Sequence, residues 1–177
     1  MRSYLKLASL TACFVTAPLA AQSATEYGID AGATIGLGDV SSVEISLPAS
    51  RLRVGFPMSP QITLEPVAGL AFNKTEGTDG VLIYNLEAGA LYNLQPFNAT
   101  GEDAAASTSA YVRPFVGVTG YTGGGTSDGE VIAGTGIGVK VPWQPDLSWR
   151  MEANVGYGFD NKAARIGLLI GLSYFDR

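Results

Sequence analysis

From Asp146 to Asp160 apolar and polar positions alternate without interruption. Leu147, Trp149, Met151, Ala153, Val155, Tyr157 and Phe159 share one parity, while Ser148, Arg150, Glu152, Asn154, Gly156, Gly158 and Asp160 share the other. A period of two predicts a β-strand with one apolar face and one face of charges and glycines. Glycine is too small to fill a hydrophobic core, so the polar face calls for surroundings of its own.

The same alternation recurs along the chain. Glu26–Gly38 sets Tyr27, Ile29, Ile35 and Leu37 against Gly28, Asp30, Gly32, Thr34 and Gly36. In the second segment Val43, Ile45 and Leu47 are odd-numbered, whereas Leu52, Val54 and Phe56, beyond Pro48-Ala49-Ser50, are even-numbered. That change of phase predicts a break or bulge near Pro48. Further strands are expected at Ile62–Phe72, Leu82–Leu94, Val112–Val118, Val131–Val141 and Arg165–Phe175. Val112–Val118 is the least regular, since Phe115, and Tyr121 beyond it, fall on the polar parity. With the Asp146–Asp160 strand the count is eight.

The connections differ in kind. The first, third, fifth and seventh are polar or glycine-rich, including Asp39–Ser42, Asn73–Gly80 and Tyr121–Glu130, whereas the second and sixth are short and carry proline. Gln95–Ala110 has no periodicity and reads as the longest flexible connection. Strands of about 9–11 residues with apolar residues outward, polar residues inward and aromatics near the ends are what a membrane-spanning barrel requires. The fold expected is all-β: an eight-stranded antiparallel up-and-down transmembrane β-barrel, with loops at one end and tight turns and both termini at the other.

Composition agrees with many short strands: 23 glycines and 46% hydrophobic residues in 177. Residues 1–24 combine Arg2 and Lys6, an apolar run from Leu7 to Ala17, and small residues at Ala20, Ala21 and Ala24. This predicts a secretory signal peptide, with Pro18 opposing a buried helix. Leu10-Thr11-Ala12-Cys13 resembles a lipoprotein processing box, but its apolar run is short and the residues after Cys13 stay apolar. The expected organisation is a cleaved signal peptide, 1–24, followed by a barrel domain, 25–177. Cleavage at Ala21 or Ala24 removes the single cysteine, excluding disulfides, and moves the net charge from −5 to −7. An acidic chain without a basic run argues against nucleic acid.

The pattern resembles the small eight-stranded outer-membrane β-barrels of Gram-negative bacteria, a generic family related to the protein A and protein X barrels. Besides the pattern, the resemblance rests on Arg113-Pro114-Phe115-Val116-Gly117-Val118 and Gly171-Leu172-Ser173-Tyr174-Phe175. It implies a place in the cell outer membrane and a single-domain monomer, with outer-membrane lipids and the barrel-insertion machinery as partners. Members of the family usually end on an aromatic residue. In register with Leu172 and Tyr174, that place is held here by Asp176, followed by Arg177, which bears on insertion efficiency.

Carried through all strands, the parity sends Asp30, Glu65, Glu87 and Glu152 inward with Arg51, Arg53, Arg113, Lys140, Arg150 and Arg165. It sends Tyr27, Phe56, Tyr84, Tyr92, Trp149, Tyr157, Phe159 and Tyr174 toward lipid. An eight-stranded barrel is just wide enough for its side chains to fill it, and charges in a confined lumen must pair. The expected role is structural or surface-interacting, with a plugged, ion-paired interior. One alternative is a narrow or gated pore with a slight basic excess at its wall. Another is a soluble secreted barrel that binds an apolar ligand, which requires the apolar parity to turn inward. The chain has no histidine, so the histidine bases that outer-membrane hydrolases resemble one another in using are missing. No spacing indicates another catalytic set, and no cofactor is expected. Scattered loop carboxylates, Glu76 and Asp79, Glu102 and Asp103, read as solvated charges rather than metal ligands. A phosphate-cradling role for the glycine-rich Tyr121–Glu130 would need a following helix, where a strand is predicted.

Overall fold

The computed structural model describes residues 24–37, 42–73, 79–94 and 108–176, with the backbone alone described for 42–50 and 73. Eight strands follow one another: β1 (Thr25–Leu37), β2 (Ser42–Pro57), β3 (Ile62–Asn73), β4 (Val81–Asn93), β5 (Ser109–Gly123), β6 (Thr126–Gln144), β7 (Leu147–Gly158) and β8 (Ala163–Asp176). Each pairs antiparallel with its sequence neighbours, and β8 returns to β1 to close the barrel. The closing ladder runs unbroken from Thr25↔Asp176 to Leu37↔Ala164, so no strand edge is left open along this seam. The shortest strands, β3 and β7, have 12 residues, more than the roughly 9–11 that a tilted membrane strand needs.

The change of phase in β2 has a structural counterpart. Asp30 pairs with Arg51 and Gly32 with Ser46, so β2 advances five residues while β1 advances two. The bulge around Pro48 puts Leu52 and Phe56 on the apolar face and Arg51 and Arg53 on the inner one.

The ends differ as their turn residues dictate. At the end that carries the termini, β2 and β3 are joined through Ser59, whose hydroxyl accepts from Ile62 N–H at 3.0 Å. There β6 and β7 are joined by Pro145-Asp146, beyond a register shift between Pro142 and Gln144. Leu94 N–H bonds to Ala110 C=O at 2.9 Å, so the connection from β4 to β5 leaves from this same end. Most of Gln95–Ala110 lies outside the described residues, as do Asp39–Val40–Ser41, residues 74–78 and the expected signal peptide apart from Ala24.

Tyr121–Glu130 is not the open loop its glycines suggest. Tyr121 pairs with Asp128 and Gly123 with Thr126, leaving only Gly124 and Gly125 as the turn. Their φ angles of 59° and 76° are the two positive values that a tight hairpin turn demands. The glycines therefore continue the ladder instead of ending it.

Outside, the barrel is apolar. Leu52, Leu70, Phe72, Ile137 and Leu168 are each more than 60% exposed. Trp143 and Trp149 stack at 5.8 Å near the termini, with Tyr27, Phe56, Tyr92 and Tyr174 at similar height in the register. At the loop end Tyr157 and Phe159 meet edge to face at 5.5 Å. These are aromatic girdles flanking an aliphatic band, a surface suited to lipid. Two expected lipid-facing aromatics differ in detail. Phe159 lies in the turn after β7, because that strand ends at Gly158. Tyr84 is half-buried, its hydroxyl lying over Gly120 of β5 and Gly129 of β6, where the missing side chains make room for it. The soluble alternative is overturned, since it required these apolar residues to face inward.

Candidate functional site

The barrel interior holds the chemistry, and it divides into two halves. The half toward the termini is a continuous ion-pair network. Arg53 Nε donates to Asp30 at 2.9 and 3.0 Å, its Nη1 to Glu26 at 2.5 Å, and its Nη2 to Ser173 Oγ at 2.8 Å. Glu26 also takes the ammonium of Lys140 and the Ser173 hydroxyl, the latter at 2.7 Å. Arg150 pairs with Glu65 and, at 2.7 Å, with Glu152. Arg113 grips Glu152 through Nη2 at 2.9 Å and reaches Glu87 at 3.1 Å; Glu87 in turn takes Arg51 at 2.7 Å.

Glu65 links the two sides of this network, 3.8 Å from Arg53 and 3.7 Å from Arg113. The connected set contains the carboxylates Glu26, Asp30, Glu65, Glu87 and Glu152 and the cations Arg51, Arg53, Arg113, Lys140 and Arg150, so its formal charges cancel. Cancellation matters because an unpaired ion at these positions would keep several kcal/mol of desolvation uncompensated.

Local sequence explains the fit. The strand parity aims these side chains inward, and glycines on neighbouring strands leave room beneath them. A Cβ at Gly28 would lie 2.6 Å from Arg53 Nε, and one at Gly136 2.6 Å from Glu152 Oε1. Tyr111 fills the remaining gap: its hydroxyl accepts from Arg150 Nε at 2.6 Å and donates to Glu152 at 2.9 Å. The Arg150 guanidinium also stands 4.7 Å over the Tyr111 ring. Val67 and Leu91 are buried apolar residues of the same inner parities as Glu65 and Glu87.

The half toward the loops is open. Arg113 stacks 4.8 Å over Phe115, and beyond this layer lies a cavity of about 120 Å³. Gly32, Gly69, Asn85, Asn154 and Gly156 contribute to its wall, with Arg51 and Glu87 also bordering it. A second recess of about 240 Å³ continues it under the β5–β6 hairpin. Arg165 pairs with Glu130 at this end, apart from the main network.

Of the ten inward charges expected from parity, all are in ion pairs: Asp30, Arg51, Arg53, Glu65, Glu87, Arg113, Lys140, Arg150, Glu152 and Arg165. Among the described side chains, the slight basic excess that belonged to the pore alternative is offset by Glu26 and Glu130. Both lie on inner parities, two residues from Asp30's neighbour Gly28 and from Ile132, and Tyr111 shares the parity of Arg113. Continuing the alternation to the strand ends would have found all three. Assigning Glu130 to a loop, and stopping the Gln95–Ala110 linker just short of Tyr111, concealed two of them. Phe115, irregular in sequence, is buried inside as its parity requires.

No protein-family model matches the chain, and no curated protein matches it. Solved structures do. Neisserial surface protein A aligns with a TM-score of 0.62 at 13% identity, over 85% of this chain and 96% of that one. The amino-terminal β-barrel domain of Pseudomonas aeruginosa OprF gives 0.52 at 13% identity, over 86% and 100%. The attachment invasion locus protein of Yersinia pestis gives 0.51 at 12% identity, over 88% and 99%. At such identities the likeness is one of fold: the chain has the fold of the small eight-stranded outer-membrane β-barrels.

Proposed function

We propose that this chain is an outer-membrane barrel of structural or surface-interacting role, non-catalytic and monomeric, whose lumen is plugged by ion pairs. Residues 1–24 direct export and are removed, the barrel-insertion machinery places the remainder, and lipid covers the apolar exterior. The observation that carries this reading is the charge-balanced network from Lys140 through Glu26, Arg53 and Glu65 to Arg113 and Arg51. An ion entering it would have to displace a partner already paired in a confined space.

Cell fractionation, then electrophoresis of the membrane fraction with and without boiling, tests the membrane assignment. An outer-membrane band whose mobility changes on heating is expected; a soluble, heat-indifferent band would overturn it. Planar-bilayer recording then separates plugged from open. A second reading, a gated pore, has one observation in its favour: the loop-half cavity already reaches Arg51 and Glu87. Sustained conductance steps from the wild-type protein would favour that reading, and a closed baseline the scaffold.

A further inference from the structure

We propose that the loop-half chamber has a second mouth in the side of the barrel, between β2 and β3, which takes the polar head of a single-chain amphiphile whose tail stays in the surrounding lipid. This rests on the membrane reading above and not on whether the lumen conducts.

The β2–β3 seam is incomplete. Among the described residues its ladder has no rung above Arg51↔Gly69, whereas β3 stays paired with β4 up to Asn73↔Val81 and β2 with β1 up to Gly36↔Ser42. The bulge explains the gap: residues 47–50 lie between the Asp30↔Arg51 and Gly32↔Ser46 rungs instead of extending the ladder to β3. Lower down the ladder lapses again between Arg53↔Val67 and Phe56↔Leu64, where Pro66 has no N–H to give.

The slot leaves main-chain groups facing it. Asn93 N–H bonds to Gln61 C=O at 2.8 Å, so odd positions of β3 turn their main-chain groups to β4 and even positions turn theirs to β2. Leu70 and Phe72 thus each aim an N–H and a C=O across the slot with no rung to receive them. Their side chains, with Leu52 on β2, are among the most exposed apolar groups of the exterior, so the slot opens at the height of the lipid-facing band. Hydrocarbon cannot satisfy such groups, and backbone without ladder partners is tolerated at membrane depth where it lines a water-filled cavity. Such a cavity lies behind the slot: Arg51 on β2 and Gly69, Leu70 and Ala71 on β3 line the inner chamber from its two sides.

The two sides of the slot set the ligand class. Inside, Asn85, Thr119 and Asn154 offer hydrogen bonds; outside, Leu52, Leu70 and Phe72 offer only apolar surface. A molecule that satisfies both has a hydrogen-bonding head and a hydrocarbon tail. The chamber, at about 120 Å³, has room for a compact head while the tail remains among the lipids.

The test uses outer membranes from cells expressing the full chain with Cys13→Ser, so that one introduced cysteine is the only thiol. Leu169→Cys lines the chamber on β8, where both ladders are unbroken. The probe is N-dodecylmaleimide dissolved in the bilayer, with water-soluble N-methylmaleimide as comparator. Labelling by both is expected. Adding Ala71→Trp, which fills the inner side of the slot, should slow the dodecyl reagent about tenfold more than the methyl one, the loss of one favourable entry route. Labelling by the methyl reagent alone, by neither, or by the dodecyl reagent at a rate that Ala71→Trp leaves unchanged would overturn the proposal. Should Ala71→Trp not fold, amide hydrogen exchange of the wild type in lipid nanodiscs decides: Leu70 and Phe72 should exchange at least about tenfold faster than Leu64 and Ala68 on the same strand, and equal protection would overturn it. A heat-dependent mobility shift of each labelled sample establishes that it is a membrane barrel, so failure of the lateral mouth is distinguished from failure of the membrane reading.

Discussion

Glu152 on β7 and Arg113 on β5 form a two-point ion pair across the whole width of β6, with Arg113 Nη2 2.9 Å and Nε 3.2 Å from Glu152 Oε1. The intervening strand allows this because Gly136, beneath the pair, has no side chain. Glu152 also accepts from Arg150 and Tyr111, so three buried side chains donate to this one carboxylate. Glu152→Ala should therefore cost about 3–5 kcal/mol by leaving two buried guanidiniums short of a partner. Urea unfolding in lipid vesicles, followed by tryptophan fluorescence, measures it. A loss below about 1 kcal/mol is what a solvent-exposed pair would give, and would contradict the buried network.

Gly136→Ala tests the same pair from the other side. The added Cβ would stand 2.6 Å from Glu152 Oε1, so the carboxylate must move and its contact with Arg113 lengthens. A destabilisation of about 1–3 kcal/mol is expected, the range for overpacking, although alanine is otherwise no worse than glycine in a strand. Unchanged unfolding would show that Glu152 has room to shift.

Tyr111→Phe keeps the ring beneath Arg150 and removes one hydroxyl that both accepts and donates. The expected loss is about 1–3 kcal/mol, with the barrel still folded, because charged partners on both sides lose a hydrogen bond. Heat-dependent electrophoretic mobility confirms the fold while unfolding gives the loss.

The lipid-facing assignment predicts a dependence on depth. Ile137 and Leu168 lie midway along their strands and are 63% and 64% exposed on the outside, so arginine at either should cost about 2–4 kcal/mol in a bilayer. Trp143→Arg, close to the interface, should cost roughly 0–1 kcal/mol from the charge itself. Equal penalties at both heights would contradict a membrane-embedded band.

Gly125→Val probes the hairpin alone. At a φ of 76° a β-branched residue is strained by about 1–3 kcal/mol, yet this turn lies beyond the last β6–β7 pair, Ile132↔Gly158. Amide signals from Tyr121 to Glu130 should broaden or shift while the barrel's unfolding midpoint holds. A large fall in that midpoint would mean that the hairpin helps to hold the barrel closed.

Strand number, phase and polarity were legible in the sequence because period two is a local property: each residue's side is set by its neighbours along one strand. The same locality showed the β2 bulge, from a parity change at Pro48, and the ten inward charges. It could not show which charge meets which. Arg53 and Ser173 are 120 residues apart, and Arg113 reaches Glu152 over a strand that neither belongs to. Such pairings depend on the stagger between strands, fixed only when β8 closes on β1.

Strand ends were harder to place, since turn chemistry and strand pattern overlap there. Three consecutive glycines look like a loop, yet two of them make a turn tight enough to pair everything around it. That placement brought Glu130 into the lumen and, with Glu26, turned an apparent basic excess into balance. The residues by themselves determined an eight-stranded barrel with charges within and aromatics without. Tertiary structure alone decided that the charges seal one half and leave a glycine-walled chamber in the other, because filling a lumen depends on how long side chains from non-adjacent strands share one cross-section.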